Sequence, residues 1–161
     1  MKRELGVVVV VALLAACGGS SGMTKADYVK QANRVCHDAA TAVAALKLSD
    51  TSDVTTIPKA AKKIVVAERA ALKRLKAIRP PKEDRPEINK WVALIDQTID
   101  QAELSAEFQQ DGVIQRAVTA NDNGAALDAR ADQIAKAFGL KTCVQAAAAP
   151  QDSGALEPAR P

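Results

Sequence analysis

The chain has 161 residues, of which 48% are hydrophobic, 25% charged and 2% aromatic, and its formal net charge is +3. This length favours one domain, and this hydrophobicity excludes a disordered chain. So small a charge excludes a protein that binds nucleic acid mainly by neutralising phosphates. Alanine, the strongest helix former, contributes 33 residues. The composition therefore predicts a single helical domain with no nucleic-acid partner.

The chain opens with Lys2 and Arg3, followed by an apolar run of twelve residues, 5–16. A helix of that length covers about 18 Å, which is well short of the roughly 30 Å hydrocarbon core of a bilayer. The run therefore predicts the hydrophobic region of a signal peptide and not a transmembrane helix.

The apolar run ends in Leu14-Ala15-Ala16-Cys17, which resembles the lipobox of bacterial lipoproteins in its branched residue, two small residues and cysteine. The resemblance implies that diacylglycerol is attached to the Cys17 thiol and that a signal peptidase cuts between Ala16 and Cys17. In many such proteins the new amine is acylated too, and two or three acyl chains anchor a protein stably. The Gly/Ser-rich residues 18–22 then predict a flexible tether. The alternative is an ordinary signal peptide that is cleaved near a cysteine.

Acylation of Cys17 would leave two cysteines, Cys36 and Cys143, and one possible pairing between them. Disulfides persist outside the cytosol, so the lipobox resemblance implies a Cys36–Cys143 bond in the exported protein. A closed loop of about a hundred residues is worth up to ~4.7 kcal/mol in the chain-entropy model. Because an alanine-rich core with few aromatic residues buries little apolar area per residue, we expect this disulfide to matter for stability. Loss of the leader would lower the formal charge to +2.

Two helices are predicted in the first half of the domain. Thr24 and Asp27 form a capping box that opens the first helix, which we expect to end near Leu48, before a polar linker. Pro58 suits the first turn of the second helix, and Pro80-Pro81 ends it. Apolar residues at steps of three and four give the buried faces: Tyr28, Ala32, Val35, Cys36, Ala39, Val43 and Leu46, then Ala61, Ile64, Val65, Leu72, Leu75 and Ile78.

Two further helices are predicted in the second half. Asp84, with Glu87 and Pro86, indicates a capped start of the third helix, which we expect to continue through Gly112 to about Ala120, although residues 109–112 also suit a helix end. The sequence of residues 121–124, Asn-Asp-Asn-Gly, predicts a turn, and the fourth helix ends at Gly139, with Leu140 packing after it. The predicted faces carry Ile88, Trp91, Val92, Ile95, Ile99, Ala102 and Ala106, then Leu127, Ala131, Ile134, Ala135 and Phe138.

Four amphipathic helices with short connections predict an all-α protein, an antiparallel up-down four-helix bundle clamped by one disulfide. We assign residues 1–16 to the signal peptide, 17–23 to the anchor and tether, 24–143 to the bundle and 144–161 to a mobile tail.

The layout is also similar to small helical lipoproteins exported by high-GC Gram-positive bacteria. These combine a cysteine on an early helix, a central Leu/Ile-x-Pro-Pro and a terminal Gly-Leu-x-x-Cys. Such proteins mostly have no assigned activity, so the resemblance implies an architecture and no chemistry. The matching pieces here are Val35-Cys36, Ile78-Arg79-Pro80-Pro81 and Gly139-Leu140-Lys141-Thr142-Cys143.

Three features suggest chemistry but have simpler explanations. Cys36 and His37 resemble a nucleophile and base, yet consecutive helical residues do not face each other, which favours an exposed histidine. Trp91 lies on the predicted apolar face, which favours core packing over a partner contact. Acidic and basic stripes on neighbouring helices favour partly paired surface charges over a divalent-cation site. The stripes comprise Asp96, Asp100, Glu103 and Glu107 on the third helix and Lys62, Arg69, Lys73 and Lys76 on the second.

The sequence contains no Gly-rich phosphate loop, nucleophile elbow, SxxK or haem-attachment motif. We therefore expect no metal, no cofactor and no catalytic residue. The expected role is a non-catalytic binding or accessory module for an envelope partner, held by lipid on the outer face of the cytoplasmic membrane. The alternative is a carrier or sensor of a small apolar ligand between the helices, and an envelope hydrolase is a third. A carrier needs an apolar cavity, whereas a partner module needs an exposed apolar patch.

Overall fold

A computed structural model describes residues 23–46 and 56–144. These form four α-helices, α1 (Lys25–Ala44), α2 (Ile57–Ala77), α3 (Arg85–Gln110) and α4 (Ile114–Phe138), and then a 3-10 turn, Lys141–Cys143. Within these two ranges there is no β-strand, so the predicted all-α class is confirmed. The predicted lipobox and most of the tether, the polar linker and the tail beyond Val144 lie outside the described residues.

Helix α1 begins as its capping residues predict. The Thr24 hydroxyl accepts the backbone N–H of Asp27 at 3.1 Å and donates to the Asp27 carboxylate at 2.6 Å, so the first turn is satisfied by local groups. The helix ends at Ala44, earlier than the predicted Leu48. Met23, directly before the cap, packs against the core.

Prolines set the limits of α2 and the start of α3. Pro58 lies in the first turn of α2, where its missing N–H costs no hydrogen bond. The helix ends at Ala77 with an extended residue, Ile78, ahead of the two prolines, as predicted. Asp84 is the N-cap residue of α3, as predicted, but its side chain makes no capping hydrogen bond.

Two glycines end helices in the same way. Gly112 and Gly139 both have positive φ, 73° and 91°, and both follow the last turn of a helix. In each case the backbone N–H of the residue after the glycine donates to the carbonyl five residues earlier. Val113 donates to Phe108 and Leu140 donates to Ala135, both at 2.8 Å. This pattern is the Schellman motif. The helix end at Gly139 is confirmed, whereas the predicted continuation of α3 through Gly112 is wrong.

The predicted turn at residues 121–124 is also wrong, because α4 runs through it without a break. Gly124 is buried where α4 approaches α3, and a Cβ added there would lie 3.4 Å from the Gln101 Cβ. The three polar residues before it are exposed on the outer side of α4. Helix packing here overrides the local turn preference of the sequence.

The helices form antiparallel neighbours. Lys62, early in α2, donates to Gln110, at the end of α3, and Lys76, late in α2, donates to Asp96, in the first half of α3. Helices α3 and α4 form the most extensive pair. Helix α1 packs on α2 and on the 3-10 turn. This packing is compatible with the predicted four-helix bundle.

The main core lies at the end of the bundle where α1 begins and α4 ends. Its largest fully buried side chains are Tyr28, Ile88, Trp91 and Leu140. The Tyr28 and Phe138 rings meet edge to face, with 5.9 Å between their centroids, an arrangement that aromatic pairs favour. A smaller cluster of Val65, Leu72 and Ile99 continues between α2 and α3. The core therefore thins toward the end of the bundle at which α1 has already ended.

Candidate functional site: a cavity between the helices

A cavity of about 620 Å³ lies between the four helices and is partly open to solvent. Its floor consists of larger apolar side chains, among them Leu72, Leu75, Trp91 and Ile95. Helix α1 contributes mostly alanines and Val43. Because alanine side chains are too short to reach across the bundle, the space remains open. The alanine excess that favours helix formation thus also makes room for a ligand.

The Cys36–Cys143 disulfide forms one wall of this cavity. The bond is present, with an S–S distance of 2.06 Å, and joins α1 to the turn that follows α4. The two cysteines are 107 residues apart in sequence. The predicted pairing is therefore confirmed, and it fixes the position of α1 beside the cavity.

The side chain of Asn33 on α1 makes a second connection to the turn that carries Cys143. The Asn33 side chain accepts the backbone N–H of Thr142 at 2.9 Å and donates to the Gly139 carbonyl at 3.4 Å. One amide thus satisfies a carbonyl at the C-terminal end of α4 and a backbone N–H of the 3-10 turn. The turn that carries Cys143 is therefore held against α1 by both a covalent bond and hydrogen bonds.

Three carboxyl groups line the otherwise apolar cavity: Glu68 on α2, and Asp128 and Asp132 on α4. Burial, and secondly the charge of Asp128, raises the pKa of Glu68. Burial, and secondly the charge of Asp132, raises the pKa of Asp128. In both cases the loss of solvation and a neighbouring carboxylate disfavour the ionised form. The cavity therefore carries negative potential along one side.

The acidic and basic stripes of α3 and α2 lie elsewhere and pair with each other. Arg69 donates to Asp96 at 2.7 Å, to Glu103 at 3.2 Å and to Asp100. Lys76 donates to the other oxygen of Asp96 at 2.7 Å. The predicted pairing is thus confirmed for these residues. No ion pair is recorded for Lys73 or Glu107 within the described part of the chain, and Lys62 donates to the Gln110 amide.

For Cys36, His37 and Trp91, the structure agrees with the simpler of the two roles that the sequence suggests. Cys36 is in the disulfide, so it has no free thiol that His37 could deprotonate. The neighbouring His37 is exposed. Trp91 is 1% exposed and belongs to the core, as predicted, but its ring also lines the cavity. In residues 23–46 and 56–144, no group of three or more His, Cys, Asp or Glu side chains is arranged to hold a metal ion.

Sequence reasoning missed Glu68 and Asp128, although the sequence contained a signal for both. Glu68 falls on the apolar face of α2, three residues after Val65 and four before Leu72. Asp128 likewise follows Gly124 by four residues and precedes Ala131 by three. A charged residue at such a position faces the interior of a bundle. Because burial of an unpaired charge is costly, these two positions merited attention as candidate site residues.

The chain matches no protein-family profile, no curated protein and no solved structure. None of the helices within the described ranges has the length and hydrophobicity needed to cross a membrane. The cavity and the residues Leu14-Ala15-Ala16-Cys17 are therefore the features that suggest a function.

Proposed function

We propose that this chain is a lipid-anchored envelope protein that binds a small, largely apolar molecule between its helices and does no chemistry on it. The observation that carries the proposal is the cavity of about 620 Å³. Small-molecule sites typically measure roughly 300–1,000 Å³ and have mostly apolar walls. The aliphatic and aromatic floor around Trp91 fits that description.

The lipobox motif supports the anchoring part of the proposal. Cleavage before Cys17 would leave six residues, 18–23, between the lipid and the cap of α1. Six residues span at most about 20 Å when fully extended. The domain would thus lie close to the outer face of the membrane, with the cavity accessible to molecules that leave or enter the bilayer.

The ligand-binding part is tested with a neutral, environment-sensitive dye, N-phenyl-1-naphthylamine, whose binding quenches the emission of Trp91, the single tryptophan. Ala71 lines the cavity, and Ala71→Phe should fill part of it and weaken dye binding at least about tenfold. Ala125 is exposed on α4, and Ala125→Phe is the matched control that should leave the affinity unchanged. Thermal melts check that both variants fold. Absence of dye binding, or equal weakening by both substitutions, would overturn the proposal.

The anchoring part is tested by metabolic labelling with an alkyne-tagged fatty acid. Cys17→Ser should abolish the label and either release the protein from membranes or leave it unprocessed. Cys36→Ser, which removes a different cysteine, should keep the label. If processing and membrane association of the Cys17→Ser protein were unchanged, the protein would not be a lipoprotein.

A second candidate function, docking of an envelope protein, is favoured by a different observation. Ile114 and Val118 lie one turn apart on the same face of α4 and are 59% and 45% exposed. They lie at the end of the bundle opposite to Thr24, and therefore away from the anchored end. Ile114→Ser together with Val118→Ser should remove a species that is crosslinked in intact cells and leave dye binding unchanged. Persistence of that crosslinked species would exclude this face as the docking surface.

A further inference from the structure

We propose that the preferred ligand of the cavity is an amphipathic cation, with an ammonium or guanidinium group near Glu68 and Asp128 and an apolar body against the floor around Trp91. This inference rests on the proposed ligand-binding function and adds the charge class of the ligand. It is carried by the distribution of charge within the cavity, which is entirely of one sign among the residues that line it.

Among the described residues, the lining of the cavity includes three acids and no base. Helix α1 contributes Cys36, alanines and Val43, helix α3 contributes Trp91, Ile95, Thr98 and Ile99, and the turn after α4 contributes Thr142 and Cys143. None of these side chains titrates here, because both cysteines are in the disulfide. Within residues 23–46 and 56–144, the charge of the cavity lining therefore comes from Glu68, Asp128 and Asp132.

Two of these three carboxylates, Glu68 and Asp128, have little compensation from the described part of the protein, whereas Asp132 has partners of its own. Asp132 approaches the ammonium group of Lys136 at 3.9 Å, and that lysine is largely exposed. Glu68 and Asp128 have no ion pair recorded within residues 23–46 and 56–144. A cation placed between them would supply the missing charge, and charge-assisted hydrogen bonds of this kind are about twice as strong as neutral ones.

The rest of the cavity excludes a simple inorganic cation as the best ligand. Groups able to hold a metal ion are absent from the described residues, and hard cations require about six oxygen ligands. Most of the wall is instead aliphatic or aromatic, including Leu72, Leu75 and Ile95. A ligand with one cationic end and an apolar body satisfies both parts of the cavity at the same time.

The test compares octylamine, octanol and octanoate, which share an eight-carbon tail and differ in charge, together with methylamine, which lacks the tail. The protein is the processed chain, residues 17–161, with Cys17→Ser so that neither lipid nor detergent competes for the cavity. It contains every residue that the structure describes. Affinities are measured at pH 7.5 by calorimetry and by the fluorescence of Trp91.

We expect octylamine to bind about tenfold more tightly than octanol, octanoate to bind more weakly than both, and methylamine not to saturate. In the double variant Glu68→Gln/Asp128→Asn, the preference for the amine should fall below about twofold while the affinity for octanol is kept. The control Glu87→Gln/Glu107→Gln removes two exposed carboxylates of α3 that do not line the cavity, and it should leave the preference unchanged.

The possible outcomes separate this inference from the function on which it rests. If none of the four compounds bound, the proposed ligand-binding function would fail as well. Equal affinity for the three eight-carbon compounds would overturn the charge preference alone, and so would a preference for the amine that survives the double variant. Binding that appears only after residues 145–161 are removed would assign the cavity to the chain's own C-terminal segment, against the proposal.

Discussion

The guanidinium of Arg69 on α2 donates to a carboxylate oxygen of Asp96 on α3 across 2.7 Å. Lys76, two turns after Arg69 on α2, donates to the other oxygen of Asp96 at the same distance. Hydrogen bonding from Lys76 is the largest cause of the lowered pKa of Asp96, and Arg69 contributes to it. This network fixes the register of α2 against α3 on the outer surface of the bundle.

Loss of that network should lower stability modestly. Arg69→Met removes contacts to three carboxylates, and we expect the free energy of unfolding to fall by about 1 kcal/mol at low salt, since exposed pairs are individually weak. The effect should shrink as added salt screens the charges. Lys73→Met on the same helix is the control and should change stability by less than about 0.5 kcal/mol. Urea unfolding of both variants at two salt concentrations measures these changes in the free energy of unfolding. Equal effects of the two substitutions would contradict a stabilising role of the network.

The glycines should respond to alanine in opposite directions. Gly124 has ordinary helical backbone angles and room for a methyl group against Gln101, so Gly124→Ala should raise the free energy of unfolding by up to about 1 kcal/mol. Gly112 has a φ of 73°, at which a Cβ costs about 1–2 kcal/mol, so Gly112→Ala should lower stability. Thermal melts of the two variants provide the comparison. A destabilising Gly124→Ala would mean that α3 and α4 approach more closely than described.

These glycines also show how far the sequence predicted the fold. The helix count, the all-α class, the start at Thr24, the end at Pro80-Pro81 and the disulfide follow from local signals and from the cysteine count. The α3–α4 connection does not. Gly112 carries the same signal as Gly139, a glycine followed by an apolar residue, but the helical spacing of later residues obscured it. Small buried residues continue the α4 face through the apparent turn: Ala117, Ala120, Gly124 and Ala131.

The cavity was less predictable than the fold, for a physical reason. Its existence depends on distances between helices, which periodicity does not determine, and its walls are built from alanines that look like ordinary core residues. The carboxyl groups of Glu68 and Asp128 were detectable in principle, because both interrupt an apolar face. Whether the two side chains face the same cavity, however, depends on how α2 and α4 are rotated relative to each other. These helices are not adjacent in sequence, so local patterns do not give that rotation.

The disulfide should contribute strongly to stability. It closes a loop of 107 residues, for which the chain-entropy model predicts up to ~4.7 kcal/mol. The double variant Cys36→Ala/Cys143→Ala should therefore unfold at a much lower urea concentration than the oxidised protein. Reduction of the native protein should have a similar effect, and mass spectrometry of the exported form should find the two cysteines joined. Two free thiols in that form, or unchanged stability after their removal, would contradict this role.

Stability should also depend on pH through the carboxyl groups of the cavity. The pKa of Glu68 is raised above its ordinary value of 4.5, so the folded state binds this proton more tightly than the unfolded chain does. The contribution of Glu68 is therefore full below about pH 4.5 and is lost as the pH rises through the folded-state pKa. Glu68→Gln should raise stability at pH 7 and change it little at pH 4.

Asp96 provides the control of opposite sign. Its pKa is lowered below the ordinary 3.8, so its contribution is present above that pH and is lost as the pH falls through its folded-state pKa. Asp96→Asn should therefore lower stability at pH 7. Urea unfolding of both variants at pH 7 and pH 4 tests the pair. A destabilising Glu68→Gln at pH 7 would show that its charge is compensated in the folded protein.

The position of the disulfide in the chain also determines how the protein transmits mechanical force. Helices α2, α3 and α4 all lie between Cys36 and Cys143 in sequence. Tension applied between the two ends of the chain would enter through residues 24–36, cross the sulfur–sulfur bond and leave through the residues after Cys143. The loop between the two cysteines, which contains most of the residues that line the cavity, would lie outside this path and carry no direct tension.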